Sequence, residues 1–327
     1  MPTGPFDPSA AAAETPNRYA RRTVAAALLL PVLAAPAWAA DYPTNFSNLG
    51  SVANTRHNLT QNTAAGSIGG AMITVRNNYG EVCVYCHTPH GANENAPRAP
   101  LWNRTFLTPS YQTYDLLGTA TLSQTVTYPG INSLMCLSCH DGTIAVDSII
   151  NMPGSGRFSA AAKTSHVESH LDNNWANNAA YPGTTRSSTH HAIGNTSPAA
   201  GSGCMACHSG PGGIEVATDF TAFYLGTDLR DDHPVGIRFP QPVSGTDFND
   251  PNTKIAGRMA IFDTNGNGRP EKNEIRMYDT GDGYEVECAS CHDPHGVPSA
   301  GSGTAMQPTF LRISNANSAV CLTCHIK

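Results

Sequence analysis

The cysteines and histidines of this chain carry its clearest chemical pattern. All ten cysteines fall into five copies of Cys-x-x-Cys-His, at residues 83–87, 136–140, 204–208, 288–292 and 321–325. Two thiols three positions apart on one helical turn can add to the two vinyl groups of one haem, and the adjacent histidine then lies against the iron. The pattern therefore predicts five covalently attached haem c groups.

The attachment residues and the proximal iron ligands follow directly from the five motifs. Thioether bonds are expected at Cys83, Cys86, Cys136, Cys139, Cys204, Cys207, Cys288, Cys291, Cys321 and Cys324. The proximal ligands are expected to be His87, His140, His208, His292 and His325. No catalytic residue is assigned.

Other uses of the cysteines explain this placement less well. A disulfide framework, paired zinc ribbons or a thioredoxin-like redox motif would not place a histidine after every cysteine pair. The chain also carries a formal net charge of −6, which excludes a nucleic-acid binder whose affinity comes from positive charge.

The remaining eight histidines supply the candidate sixth ligands. Five irons with two axial histidines each require five of them, and this surplus favours histidine over methionine as the sixth ligand. We expect the distal ligands to be His57, His90, His191, His233 and His295. The others are His166, His170 and His190, and the sequence does not choose between the adjacent His190 and His191.

Two of these histidines lie three positions after a proximal ligand. His90 follows His87 and His295 follows His292, in the sequences CHTPHG and CHDPHG. Three residues span at most about 10–11 Å, which is too short to wrap around a macrocycle to its opposite face. We therefore expect His90 and His295 to bind the iron of a neighbouring haem; the alternative is a histidine that stabilises a turn.

Two further histidines belong to a shared signature downstream of the second and third motifs. The signature reads His-Ala-Ile-Gly at residues 191–194 and His-Pro-Val-Gly at residues 233–236. This parallel predicts that His191 and His233 are distal ligands. His57 stands alone before the first motif and completes the required five.

The N-terminal region has the features of a signal peptide. Residues 18–40 combine three arginines, a short apolar stretch and the cleavage pattern Ala37-Trp-Ala39. We expect residues 1–39 to be an extension and a cleaved signal, and residues 40–327 to form a single pentahaem domain. No later stretch reaches the roughly 18 apolar residues of a membrane span. The predicted location is the periplasm, the outer-membrane surface or the extracellular space.

The predicted fold class is a multihaem c-type cytochrome. Gly and Pro are frequent, only 13% of the residues are charged, and no helix longer than about 12 residues and no run of alternating strands is evident. The sequence therefore predicts irregular loops, with short helices at the motifs, around a core of stacked haems.

Residues 263–274 fit the calcium-loop pattern D-x-[DN]-x-[DN]-G-x5-E. The ligands would be the side chains of Asp263, Asn265, Asn267 and Glu274, with the carbonyl of Arg269. Pro270 and the lack of evident flanking helices argue instead for an ordinary turn rich in Asn and Gly.

The chain resembles the secreted doubled-CxxCH multihaem cytochromes of respiring bacteria. The resemblance is carried by CHTPHG with the downstream PLWNR at 100–104, and by CLSCHDG, DDHPVG, ECASCHDPHG and the terminal CLTCHIK. It covers most of residues 57–327. Some members of that family are subunits of extracellular filaments, in which haems stack continuously and a neighbouring subunit can donate a distal histidine.

Two functions of different classes are consistent with these features. The first is electron transfer by a secreted cytochrome with every iron six-coordinate, which would act with redox proteins or extracellular metal acceptors, either as single molecules or polymerised as filaments. The second is a multihaem reductase of the nitrite or hydroxylamine type, which needs one open iron position. The histidine count favours electron transfer, and the Cys-x-x-Cys-Lys variant frequent in such nitrite reductases is absent.

Overall fold

The computed structural model of the chain describes residues 52–60, 79, 81–106, 109–151, 192–194, 204–209, 219–300 and 305–326. The chain divides into two units, Met1–Asp41 and Tyr42–Lys327, and every described residue lies in the second. The predicted signal segment and His166, His170, His190 and His191 lie outside the described residues.

The helices of the described part are short and coincide with the Cys-x-x-Cys-His motifs. Helix α1 spans Ile131–His140, α2 Met205–His208, α3 Cys288–Cys291 and α4 Ala319–Cys324. The first motif forms a 3-10 turn at Cys83–Tyr85. Other 3-10 turns lie at Val52–Asn54, Tyr114–Leu117, Thr221–Phe223, Pro308–Phe310 and Ala316–Ser318. Within these described residues, no helix has the length and apolar character needed to span a bilayer.

A five-stranded antiparallel sheet lies between the third and fourth motifs. Its strands are β1 (Ile237–Arg238), β2 (Thr253–Ile255), β3 (Met259–Ile261), β4 (Arg276–Asp279) and β5 (Tyr284–Val286). The order across the sheet is β1-β5-β4-β3-β2. Strand β5 leads directly into α3, so the sheet positions the fourth motif.

This sheet is not predicted from the sequence, and the reason is physical. The strands have two to four residues each, which is too short for an alternating pattern to be read. Strand β3 is moreover buried at all three positions, so it has no polar face at all.

Buried apolar side chains form three small clusters beside the motifs. The first consists of Tyr79, Val84, Tyr85 and Ile149, the second of Tyr111, Leu137 and Leu229, and the third of Phe239, Ala260 and Met277. Cys86 and Cys324 pack against the first and third clusters. Each cluster therefore anchors one Cys-x-x-Cys-His motif to the rest of the described chain.

The turns of the first, second and fourth motifs have an inner and an outer face. The residues between the cysteines are buried: Val84, Tyr85, Leu137, Ser138, Ala289 and Ser290. The cysteines of these motifs are partly or fully exposed. In the fifth motif, by contrast, Leu322 is 44% exposed.

The second and fourth motifs are joined by a buried carboxylate. Glu287, immediately before α3, is 1% exposed and accepts hydrogen bonds from the backbone N–H of Gly130 at 3.1 Å and from the Ser133 hydroxyl at the start of α1. The Ser133 hydroxyl also accepts the N–H of Cys288 at 2.9 Å. Burial raises the pKa of Glu287 to about 8.

This pKa predicts a pH-dependent stability. The folded chain keeps a proton on Glu287 that the unfolded chain releases near pH 4.5, so the free energy of unfolding falls as pH rises from about 4.5 to about 8. The fall should be on the order of a few kcal/mol. Denaturant unfolding of the haem-loaded protein, followed by circular dichroism at several pH values, measures it.

Glu287→Gln should flatten this dependence, because glutamine stays neutral throughout the window. The exposed Glu94 provides a matched control, since Glu94→Gln should leave the slope as it is in the unsubstituted protein. If the unfolding free energy of Glu287→Gln falls with pH as steeply as that of the unsubstituted protein, Glu287 is not the source of the dependence.

Candidate functional site

Two pairs of histidine rings bring together residues that are far apart in sequence. The rings of His87 and His295 have centroids 6.1 Å apart, with 12° between their planes. The rings of His57 and His140 have centroids 6.2 Å apart, with 79° between their planes. Each pair combines one expected proximal ligand with one expected distal ligand.

Both separations match the gap that a shared metal ion requires. Two imidazoles on opposite sides of one ion, each with a metal–nitrogen bond of about 2.0 Å, have ring centroids about 6 Å apart. The contact between His57 and Phe310 is closer, since the centroids of those rings are only 4.4 Å apart. Packed aromatic rings also have centroid separations of about 4.5–7 Å, so the separation alone does not identify a metal site.

Hydrogen bonds at Nδ1 supply a second observation. Metal-binding histidines almost always donate their other ring N–H to a carbonyl or a carboxylate. The ring Nδ1 atoms of His87, His140, His57 and His292 lie 2.6, 2.7, 2.8 and 2.7 Å from the backbone carbonyls of Pro100, Phe223, Pro294 and Thr309. Because Nδ1 must carry the proton to donate it, the Nε2 lone pair of each neutral ring is free to bind a metal.

The same rings favour the neutral form. Burial lowers the pKa of His57 to about 4, and burial also lowers the pKa values of His87, His140 and His292. A neutral imidazole is the form that binds a metal ion.

The cysteine side chains suit haem attachment. The nine cysteines for which the structure gives side-chain placement are all free thiols. In four motifs the backbone N–H of the histidine bonds the carbonyl of the first cysteine at 2.8–3.1 Å, which closes the turn. These histidines are His87, His208, His292 and His325. The free thiols, the closed turns and the paired rings together fit the donor set of c-type haem.

The segment after the first motif positions His87. Pro100 accepts the Nδ1 hydrogen bond of His87, and the N–H of Asn103 bonds the carbonyl of Cys86 at 2.8 Å. Arg104 is fully buried and donates to the hydroxyl and the carbonyl of Ser138 in the second motif, at 3.2 and 2.8 Å. The PLWNR sequence therefore orients the His87 ring and joins two motifs.

The second, third and fourth motifs adjoin one another. The thiols of Cys136 and Cys288 lie close to each other. The N–H of Cys204 bonds the carbonyl of Ala192 at 2.9 Å, while Gly194 lies so close to Gly142 that a Cβ on Gly142 would meet it at 2.6 Å. The second motif thus lies beside both the third and the fourth.

The remaining expected ligands are placed differently. His90 is exposed, and its Nδ1 lies 3.1 Å from the Asn151 amide nitrogen rather than from an acceptor oxygen. His233 is also exposed, with Nδ1 3.0 Å from the carbonyl of Pro234. No ring pair joins either one to another histidine among the described residues. Distal roles for His90 and His233 stay predictions.

The motif histidines of the third and fifth motifs pack against phenylalanines. The His208 ring stacks on Phe220 with centroids 3.9 Å apart. The His325 ring lies 4.7 Å from that of Phe248. His191, which was expected to complete the set, lies outside the described residues.

Several buried polar residues that organise the site have no role in the sequence analysis. Asp293 contacts the His295 ring, Arg312 contacts Asp293, and Glu287 joins α1 to α3. The sequence CHDPHG shows that Asp293 lies between His292 and His295. It does not show that the Asp293 carboxylate contacts the His295 ring, because spacing alone does not give the direction of a side chain.

The candidate calcium loop connects β3 to β4 instead of joining two helices. Asp263 accepts hydrogen bonds from the N–H groups of Gly266 and Gly268 at 2.6 and 2.7 Å. Glu274 is fully buried and accepts the N–H of Thr264 at 2.8 Å. In the described part of the chain, no group of three or more His, Cys, Asp or Glu side chains is arranged to hold a metal ion.

No protein-family model matches this chain, and no curated protein matches it. The interpretation of the site therefore depends on the motifs and on the geometry described above.

Calcium binding stays a prediction with a direct test. If Asp263, Asn265, Asn267, Glu274 and the carbonyl of Arg269 bind Ca²⁺, removing the ion with a chelator should lower the melting temperature of the haem-loaded protein. Added Ca²⁺ should restore it, but not in Asp263→Asn. Melting that is insensitive to the chelator would contradict this prediction.

Proposed function

We propose that this chain is a secreted multihaem c-type cytochrome whose function is electron transfer. The observation that carries the proposal is the pairing of His87 with His295 and of His57 with His140, each at the separation required by one shared iron. Haem supplies one-electron chemistry when bound, because its iron cycles between ferrous and ferric states.

The residues of the chain have distinct roles in this proposal. The motif cysteines would attach the cofactor covalently, and each histidine pair would supply two nitrogen ligands to one iron. An iron with two histidine ligands has no open position for a substrate, so these two sites suit electron transfer rather than catalysis. Because Nδ1 of each ring is already hydrogen-bonded, the ring orientations are set before any electron moves.

The contacts between motifs support short distances between the redox centres. Arg104 bonds Ser138 and thereby joins the first motif to the second. The N–H of Cys288 bonds the Ser133 hydroxyl and thereby joins the fourth motif to the second. His295, three positions after the fourth motif, reaches the proximal ligand of the first. Attachment at these positions would hold several haems within a small volume, as transfer between them requires.

The proposal extends to location and partners. The signal-like segment at residues 18–40 supports action in the periplasm, at the outer-membrane surface or outside the cell. The partners would be redox proteins, extracellular metal acceptors or further copies of the chain in a filament. Electron microscopy of the secreted protein tests the last of these.

Replacement of one distal histidine tests the ligand assignment. In His295→Ala one iron of the five loses its sixth ligand, so the reduced protein should bind carbon monoxide at about one-fifth of its haems. His57→Ala should open a different iron, and the double variant should bind twice as much. Optical titration with carbon monoxide measures the amount.

Added imidazole is the control, since it should refill the space in His295→Ala and suppress carbon monoxide binding. The unsubstituted protein should bind none at these two irons. If His295→Ala binds no more carbon monoxide than the unsubstituted protein, the assignment is wrong. Stoichiometric binding before any substitution would favour the reductase with an open site.

A further inference from the structure

His295 differs from the other paired histidines in the partner of its Nδ1. The rings of His57, His87 and His140 each donate to a backbone carbonyl. The Nδ1 of His295 instead lies 3.0 Å from Oδ1 of Asp293, which also accepts the backbone N–H of His295 at 3.0 Å. One carboxylate oxygen therefore holds both the ring and the backbone of this residue.

The surroundings of Asp293 fix this carboxylate in place. Asp293 is 7% exposed, and its second oxygen lies 3.4 Å from Nη1 of Arg312, which is 4% exposed. Arg312 is itself held by the carbonyls of Ala289 and Lys272, at 3.0 and 2.9 Å. A buried arginine so restrained favours a charged carboxylate that faces the imidazole.

The second motif provides a natural comparison. Asp141 follows His140 directly, as Asp293 follows His292, and it is buried to a similar degree. Its carboxylate, however, accepts hydrogen bonds from the Tyr111 hydroxyl at 2.7 Å and from Thr143. The same position in two motifs thus carries a buried aspartate, but only Asp293 contacts an imidazole of a histidine pair.

We propose that Asp293 is a positioning residue that makes His295 a stronger electron donor to the iron it shares with His87, and so lowers the reduction potential of that iron. A carboxylate that accepts the Nδ1 proton gives the ring partial imidazolate character and raises its basicity as a ligand. A more basic axial ligand stabilises the ferric state. The iron between His57 and His140, whose rings donate to carbonyls, lacks this effect. This inference rests on the proposed function.

The test compares Asp293→Asn with Asp141→Asn in the haem-loaded, full-length protein. Spectroelectrochemical titration gives the midpoint potentials, and the near-infrared charge-transfer bands of the ferric protein report the basicity of the axial ligands. In Asp293→Asn the potential of one haem should rise, and one charge-transfer band should shift. Asp141→Asn should leave the bands in place, since it removes a buried carboxylate that contacts no axial ring.

The outcomes separate this inference from the proposed function. If His295→Ala removes one low-spin haem while Asp293→Asn changes neither a potential nor a band, the role of Asp293 is overturned and the ligand assignment stands. Equal band shifts in the two aspartate variants would also overturn it. If His295→Ala leaves every low-spin haem intact, the ligand assignment itself fails.

Discussion

The separation of about 6 Å between paired imidazole rings is the constraint on which the rest of this structure depends. His87 and His295 lie in the first and fourth motif regions, and His57 precedes all five motifs, yet each ring meets its partner at nearly the same distance. Such a separation is wider than close ring stacking, for example the 4.4 Å between the rings of His57 and Phe310. Hydrogen bonds between the surrounding chain and Nδ1 hold each ring in place.

The scaffold around the rings consists of polar contacts more than of an apolar core. Its three buried clusters are small, and each borders a motif. Between them, Arg104 joins the first motif to the second, and Glu287 joins the second to the fourth. Buried polar groups of this kind are expensive unless they are fully hydrogen-bonded, so they fix one arrangement of the loops where apolar packing would permit several. Cofactors attached at the outer faces of the motif turns would supply the rest of the core.

The motifs of the candidate site can be read from the sequence more readily than the scaffold around them. Spacing identifies the five motifs, because two cysteines and a histidine within one turn have a direct chemical meaning. The spacing predicts that His295 binds the iron of a neighbouring haem, and its ring lies 6.1 Å from that of His87; the shared iron itself stays a prediction. The sheet was not predictable, since its strands are too short for a pattern. The contact of Asp293 with His295 was not predictable either, because it depends on the direction of a side chain.

Electron paramagnetic resonance of the ferric, haem-loaded protein tests the ligand pairing most directly. Near-parallel axial imidazole planes give a rhombic low-spin spectrum, and near-perpendicular planes give a strongly anisotropic one. With plane angles of 12° and 79°, His295→Ala should remove a rhombic signal and His57→Ala a strongly anisotropic one. If either substitution leaves the low-spin spectrum unchanged, or if the two losses are interchanged, the pairing described here is wrong.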